Sequence, residues 1–147
     1  MHILFILEHY YPEIGGVETL FHSLVNSSAE AGHRCTVLTS RPNNDQPVLE
    51  QKENITIHRI NVLNRYAFTF SALSKVLRLA KDCDLIHTTS YNAALPAWIG
   101  AKIEKKKIII TFHEVWGQLW FRLPFLSLVS KCVHFVFEQL ILALDFD

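Results

Sequence analysis

The sequence is poor in the residues that mark several common classes of protein. Its 147 residues include only three cysteines, and Cys35, Cys83 and Cys132 stand nearly 50 residues apart. That spacing excludes a CxxC redox pair, a cysteine zinc site and a disulfide framework, and it favours a reducing compartment. Fourteen basic side chains balance fourteen acidic ones. Because no overall field attracts a polyanion, we expect no nucleic-acid partner.

Motifs for several kinds of catalysis are also missing. The eight histidines and the acidic residues show no HExxH or HxE spacing, so we expect no metal site and no resident cofactor. The sequence has no GxSxG elbow, no GxGxxG dinucleotide motif and no GK[ST] of a Walker A loop. The apolar stretch 3–7 is too short for a signal peptide and has no basic region before it, which predicts a cytoplasmic protein.

Apolar residues are what the sequence has in excess. They make up 50% of the chain and give a mean hydropathy of +0.18, which excludes intrinsic disorder and supplies enough material for a core. Many of them form five short, nearly continuous runs, a pattern typical of strands buried on both faces of a parallel sheet. These predicted strands begin at His2, Cys35, Ile55, Asp84 and Lys107.

Helical spacing separates the runs. Apolar residues recur with this spacing over 17–25 and 73–80, and the stretch 92–105 supplies a further helix, with Pro96 near its first turn. The alternation predicts one α/β domain over residues 1–147, a doubly wound Rossmann-like parallel sheet in the order 3-2-1-4-5. Gly32 is expected to end the first helix. The segment 41–54 has no periodicity and predicts an exposed loop.

The last third of the chain departs from this pattern. Seven of the seventeen aromatic residues fall in 112–137, and the apolar residues there lie nearly all round any helix, which therefore needs more than one buried face. Charges at Arg122, Lys131 and Glu138 exclude a transmembrane span. Three alternatives remain: packing within the domain, a surface covered by a further domain, and an interfacial membrane anchor over 116–144. Exposed apolar surface here would also favour homo-oligomers.

Candidate site residues follow from the predicted topology. Ligands of a doubly wound sheet bind beyond the carboxyl ends of the strands, where the strand order reverses, here between predicted strands one and four. Gly15 and Gly16 precede the first helix, so their N–H groups can face an anion, or they only form the turn into the helix. His113 and Glu114 end strand five, where they can bond a sugar hydroxyl or a phosphate, or stay solvated without a ligand.

Other candidates lie beside the same crevice. His87 ends strand four in a run of hydroxyls that includes Ser90, which suits a polyol, although such a histidine can equally support the crevice by hydrogen bonding. His9, Tyr10 and Glu18 flank the glycines. Their alternative roles are loop packing for the tyrosine and a first-turn helix acid for the glutamate.

In these residues and their order, the sequence resembles the amino-terminal half of GT-B glycosyltransferases of the family 4 (group 1) type. The resemblance covers nearly the whole chain, and four segments carry it together: HILFILEHYYPEIGGVETL, AGHRCTVLTS, DLIHTTS and IIITFHEVWG. It implies retaining transfer of a hexosyl group from a UDP- or GDP-linked nucleotide-sugar, without a required metal, in a cleft between two Rossmann-like domains. The amino-terminal domain mainly holds the acceptor, which is a glycan, a lipid or a small polyol.

The resemblance also assigns roles to residues of this chain. It implies that Gly15 and Gly16 lie near the donor diphosphate and that His113 acts at the donor sugar or its phosphate as the catalytic candidate. The loop with His9, Tyr10 and Glu18 would bind the acceptor. We also assign His87, Ser90 and Glu114 to acceptor binding, because they border the same crevice.

The family's carboxyl-terminal half has no counterpart in the sequence. That half carries the nucleotide pocket, basic residues for the diphosphate and two glutamates eight positions apart, and no two glutamates here have that spacing. The chain stops at Asp147, where a sixth strand is expected. We therefore expect a second domain or a separate subunit to complete the site, and no activity of the chain alone. Two alternatives stay open: a non-catalytic module that recruits a membrane or a partner, and an unrelated α/β nucleotide-binding enzyme.

Overall fold

A computed structural model describes residues 1–41, 43 and 45–147 and contains one six-stranded sheet flanked by helices. The strands are β1 His2–Ile6, β2 Arg34–Ser40, β3 Leu49–Lys52, β4 Ile55–Ile60, β5 Leu85–Thr89 and β6 Lys107–Thr111. The helices are α1 Gly16–Glu30, α2 Phe68–Ser71, α3 Leu73–Ala80, α4 Ala94–Glu104 and α5 Leu128–Leu142. Short 3₁₀ turns cover Arg65–Ala67, Tyr91–Ala93 and Gly117–Arg122.

The sheet has the predicted topology with one strand added. Its order is β3-β4-β2-β1-β5-β6, and all pairs are parallel except β3 with β4. The five predicted strands correspond to β1, β2, β4, β5 and β6, so they lie in the expected order 3-2-1-4-5. The doubly wound α/β fold is thus confirmed, with β1 at the centre, where Ile3 pairs with Cys35 on one side and Leu85 on the other.

The prediction of a loop over 41–54 is wrong for its second half. Strand β3 runs antiparallel to β4 there, from the Leu49–His58 pair to the Lys52–Ile55 pair. All four of its residues are exposed, so the strand has no apolar alternation by which the sequence could reveal it. Its backbone pairing with β4 defines it, and β3 in turn forms the edge of the sheet. Pro42 and Asn44, in the first half of the predicted loop, lie outside the described residues.

The helix boundaries follow the local chemistry. After α1 ends, Gly32 adopts a φ of +83°, which an L side chain rarely adopts, and this agrees with its predicted place at a helix end. Pro96 is the third residue of α4, where its missing N–H costs no helical hydrogen bond. Ser127 caps α5 by accepting a bond from the N–H of Ser130 at 3.2 Å.

Two apolar clusters lie on opposite faces of the sheet. Leu4 and Ile6 of β1 join the cluster beneath α3 and α4, whereas Ile3 and Phe5 join the cluster beneath α1. Successive strand residues point to opposite faces, so a central strand must be apolar throughout. The nearly continuous apolar run at the start of the sequence has this cause.

The carboxyl-terminal helix buries little of its apolar surface. Only Glu138 and Ile141 of α5 are buried among the residues that the structure describes there. Its exposed apolar side chains include Leu128, Val129, Val133, Val136 and Leu140. Packing within the domain therefore covers one side of α5 and leaves the other open. Among the described helices, none is long and apolar enough to cross a bilayer.

Candidate functional site

The carboxyl ends of β1, β5 and β6 meet at a cleft of about 190 Å³. It lies where the strand order reverses, beside β1, as the topology predicts. We call it the polar cleft, and its lining residues are Glu8, His9, Val17, Glu18, Arg65, Thr89, Ser90, Tyr91, His113 and Glu114. Segments far apart in sequence thus line one depression.

The cleft collects five of the predicted site residues. His9 comes from the loop after β1, Glu18 from the first turn of α1, Ser90 from the end of β5, and the pair 113–114 from the end of β6. His113 and Glu114 are both exposed, and the His113 ring meets the Phe21 ring edge-on with 6.0 Å between centroids. Their roles in binding and catalysis stay predictions.

Two predicted acceptor-binding side chains lie outside the lining of the cleft. Tyr10 is buried in the cluster beneath α1, and its burial raises the pKa of its hydroxyl. The loop therefore turns this side chain inward although its sequence neighbour His9 faces the cleft. A contact between the Tyr10 ring and an acceptor has no support in this placement, and packing, the alternative role, describes the position of the residue better.

His87 lies on β5 outside the lining of the cleft. Its Nε2 atom is 2.9 Å from Thr111 Oγ1, and its ring packs against Phe5 and Phe21 with centroids 5.7 and 5.2 Å away. Burial lowers the pKa of His87, so the ring is neutral at pH 7. The residue thus supports the strand ends, which is the alternative role considered for it.

Glu8 and Arg65 are cleft residues that sequence reasoning missed. The buried Glu8 carboxylate accepts a bond from Asn92 Nδ2 at 2.9 Å and lies 3.1 Å from both His9 Nε2 and Arg65 Nε. Burial alone would raise the pKa of Glu8, but the bonds from His9 and Asn92 and the Arg65 charge outweigh it and lower the pKa. Glu8 directly follows an apolar strand, and a polar residue at that position is a signal that could have identified it. The sequence around Arg65 carries no such signal.

His9 carries a positive charge within this group. Its Nδ1 atom is 2.8 Å from Glu13 Oε2, while Nε2 faces Glu8. The bond with Glu8, and then the bond with Glu13, raise the pKa of His9 to about 9 despite partial burial. His9 is therefore protonated at pH 7, and both of its ring N–H groups face carboxylates of the protein at the edge of the cleft.

At the start of α1, the Glu18 carboxylate lies close to Gly15, while Gly16 borders open space. A Cβ on Gly15 would collide with the Glu18 carboxylate, whereas a Cβ on Gly16 would meet open space. No side chain in the described part of the chain caps this helix start. An anion at the Gly16 amide would thus approach next to the Glu18 charge, and diphosphate binding by Gly15 and Gly16 stays a prediction.

The loop after β5 holds a strained residue. Tyr91 adopts a φ of +66°, a left-handed conformation that is uncommon for a bulky side chain. Burial and the charges of Glu138 and Glu114 raise the pKa of Tyr91 to about 12. The Tyr91 hydroxyl is therefore neutral at pH 7, and the side chain lies between the cleft and α5.

Glu138 of α5 holds the loop that follows β6. This buried carboxylate accepts bonds from the N–H groups of Trp116 at 2.9 Å and Gly117 at 2.6 Å, and from Trp120 Nε1 at 3.2 Å. The loop carrying His113 and Glu114 is thus tied to α5 immediately after those residues. Sequence reasoning treated Glu138 only as a charge that interrupts an apolar helix.

No group of three metal-ligating side chains is arranged to hold a metal ion within the described ranges of the chain. The cleft instead offers carboxylates, a guanidinium, an imidazolium and hydroxyls. Groups of this kind bind a ligand with many hydroxyls, because each hydroxyl both donates and accepts a hydrogen bond.

Comparisons with known proteins show the family through a sequence model and the fold through similar solved structures. The sequence model of a family described as Glycosyltransferase Family 4 matches residues 14–142. Sucrose-phosphate synthase (tll1590) from Thermosynechococcus elongatus is similar in structure, with a TM-score of 0.70 and 16% identity over 96% of this chain and 39% of that one. The catalytic domain of Starch Synthase IV from Arabidopsis thaliana, bound to ADP and acarbose, is also similar, with a TM-score of 0.58 and 16% identity. The match covers 77% of this chain and 34% of that one. No curated protein sequence matches the chain.

Proposed function

The chain belongs to glycosyltransferase family 4 and has the Rossmann-like fold of GT-B glycosyltransferases; from this we propose that it is the acceptor-binding domain of a retaining transferase. That enzyme would move a hexosyl group from a UDP- or GDP-linked nucleotide-sugar to a hydroxyl of a glycan, lipid or small polyol. The chain spans 39% and 34% of the lengths of the two similar structures, so the donor half and the full activity are part of the proposal.

The charge balance of the polar cleft carries this proposal. Three carboxylates line it, those of Glu8, Glu18 and Glu114, against the positive charges of His9 and Arg65. An excess of carboxylates disfavours a diphosphate and favours sugar hydroxyls, which donate to carboxylates. The cleft is therefore better suited to an acceptor than to the nucleotide.

The proposed roles follow from position. Ser90 and Glu114, at neighbouring strand ends, would bond acceptor hydroxyls, and the exposed His113 would face the donor sugar across the cleft. Gly16 would offer its amide to the donor diphosphate, whose developing negative charge a helix N-terminus stabilises. The basic groups that neutralise most of this charge would belong to a further domain or a separate subunit, so the chain alone would turn over no nucleotide-sugar.

Nuclear magnetic resonance titration tests the assignment to an acceptor domain. We expect methyl glycosides of glucose, mannose or galactose to shift backbone signals of Ser90 and Glu114 and to bind weakly, with UDP and GDP binding more weakly still. Glu114→Gln should weaken sugar binding about tenfold, because a bond to a charged group is lost. Gln118→Glu in the nearby exposed turn is the matched control. Stronger binding of the nucleotides, or turnover of a nucleotide-sugar by this chain, would contradict the proposal.

A second candidate function rests on the open side of α5. Val129, Val133 and Val136 are 73, 59 and 63% exposed, and Phe125 before the helix is 77% exposed. Such a surface fits peripheral contact with the cytoplasmic face of a membrane, or a copy of the same chain. Flotation with anionic and neutral liposomes separates the two: membrane contact predicts co-flotation that Val133→Asp abolishes, whereas a dimer in light scattering without flotation favours self-association.

A further inference from the structure

A second cavity of about 150 Å³ adjoins the polar cleft. We call it the aromatic pocket because five rings line it, those of Tyr66, Tyr91, Trp120, His134 and Phe137. It lies between the 3₁₀ turn Arg65–Ala67, the end of β5 and α5. Arg65, Tyr91 and Glu114 line both cavities, so the two lie side by side with these side chains at their border.

The rings of the aromatic pocket hold one another in fixed orientations. Trp120 stacks on His134 with centroids 4.8 Å apart and planes inclined by 31°, and it meets the Tyr91 ring at 6.4 Å and 84°. Tyr66 meets His134 at 6.2 Å and 72°, with its hydroxyl 3.4 Å from Nε2. Glu138 fixes the Trp120 indole N–H. A ligand therefore meets preset ring surfaces and does not have to order them.

The volumes of the two cavities favour one ligand that occupies both. Sites for small molecules usually have volumes of about 300 Å³ or more. Neither cavity reaches this value alone, but the two together do. A ligand that occupies both cavities must extend past Arg65 and Glu114 into the aromatic pocket.

The chemistry of the aromatic pocket selects the class of ligand. Its rings offer flat apolar surface, while Arg65 and Glu114 offer a charged donor and acceptor at its mouth. A hydrocarbon chain would cover the rings but offer no hydrogen-bond donor to the Glu114 carboxylate and no acceptor to the guanidinium N–H groups of Arg65, whose Nε already faces Glu8. A phosphate would meet the Glu114 carboxylate. A sugar ring satisfies both parts, because its C–H face packs on aromatic rings and its rim of hydroxyls bonds to charged groups.

We infer that the aromatic pocket is a subsite for a second sugar ring, so that the acceptor contains at least two linked sugars. One ring lies in the polar cleft near His113, and the next lies among Tyr66, Trp120 and His134. This inference rests on the proposed function and narrows its acceptor from a glycan, lipid or small polyol to an oligosaccharide or a glycoconjugate with at least two sugar rings.

Binding of matched sugars to this chain tests the inference. The probes are the methyl glycosides of glucose, mannose and galactose together with maltose, mannobiose and lactose, followed by saturation-transfer NMR and tryptophan fluorescence. We expect at least one disaccharide to bind about tenfold more tightly than its methyl monosaccharide. Tyr66→Ala should remove this gain and leave the monosaccharide affinity unchanged. Tyr66 is 55% exposed, so its truncation does not threaten the fold.

Two further variants keep the result interpretable. His134→Ala removes another pocket wall and should act like Tyr66→Ala, while Phe70→Ala, 81% exposed on α2, removes a ring outside the pocket and should change nothing. Monosaccharide binding without any gain for a disaccharide would overturn the second subsite and leave the acceptor domain standing. The same holds for a gain that survives both pocket variants. If no sugar binds at all, the proposed function fails together with the inference.

Discussion

Residues 1–111 and 112–147 are both rich in apolar side chains, but the two regions differ in how many of these side chains are buried. Of the buried apolar side chains in the described ranges, all except Ile141 belong to the first region. The second region presents Val129, Val133 and Val136 to solvent although its composition is more aromatic. Apolar content therefore does not by itself predict burial; a neighbouring surface is also required.

Carboxylates anchor the second region instead. Glu138 accepts three bonds from the loop after β6, and Asp145 accepts bonds from Trp98 Nε1 at 3.0 Å and Lys102 Nζ at 2.7 Å. Asp147 pairs with the backbone of Ile108 through its own N–H and through its side chain. The second region thus depends on directed bonds more than the first does, and single substitutions can remove these bonds one at a time.

The largest effect is expected in the core of the first region. Phe5→Ala empties a site between β1 and α1, where Phe5 is 1% exposed, and should lower the free energy of unfolding by about 3–5 kcal/mol. The measurement is urea unfolding followed by circular dichroism. Phe125→Ala, at a 77% exposed position of the second region, is the matched control and should change the free energy of unfolding by less than about 0.5 kcal/mol. Equal losses would remove the distinction between the regions.

An intermediate and local effect is expected for Glu138→Ala. It leaves two backbone N–H groups and the Trp120 indole without their acceptor, at a cost of about 2–3 kcal/mol. Because the first region has its own core, amide exchange should accelerate over 116–142 and stay unchanged in β1 and β2. Gln139→Ala, an exposed neighbour on the same helix, should leave exchange as it is. Faster exchange throughout the sheet would mean that the two regions unfold as one unit.

A smaller effect is expected from pH, within the cleft of the first region. The pKa of His9 rises to about 9 from an ordinary value near 6.5. Protonated His9 therefore contributes fully below pH 6.5, and the contribution is lost as pH rises through 9. Since His9 is partly exposed, we expect a loss of only about 1 kcal/mol after allowance for solvent screening.

Urea unfolding at several pH values between 6 and 10, compared between the wild type and His9→Gln, isolates this contribution. The difference between the two proteins should shrink towards zero at high pH. The lowered pKa of Glu8 acts in the opposite direction, because its contribution is present at neutral pH and lost as pH falls through the acid range. A pH-independent difference between the two proteins would show that His9 contributes by packing alone.

The smallest effect is expected for Asp145→Asn. The bonds of Asp145 lie at the protein surface, so the midpoint of thermal unfolding should not change measurably. Exchange of the amides at 145–147 should still accelerate, because the anchor to α4 is weakened. Lys105→Gln, a nearby charge change that leaves Asp145 untouched, should affect neither measurement. A clear fall in the midpoint would place this end of the chain in the cooperative core.

The sequence predicted the first region better than the second for a physical reason. Continuous apolar runs such as 3–7 fix central strands, and strand order then places the crevice, so His9, Ser90 and His113 could be assigned to it. Arg65 could not be found, because a tertiary contact and a local cap bring it there: Asn64 Oδ1 accepts a bond from the N–H of Ala67 and shapes its turn. The inward direction of Tyr10 could not be predicted either, because loop residues follow no side-chain period.

The two edge strands of the sheet, β3 and β6, each carry groups that affect pairing with a strand of another molecule. Strand β3 ends the sheet on one side with Glu50 and Lys52 exposed, and charges on an edge strand discourage pairing with another strand. On the other side, Asp147 occupies both the N–H and the C=O of Ile108 in β6. A strand from another molecule would therefore meet side-chain charges at β3, and at β6 it would have to displace Asp147 from Ile108.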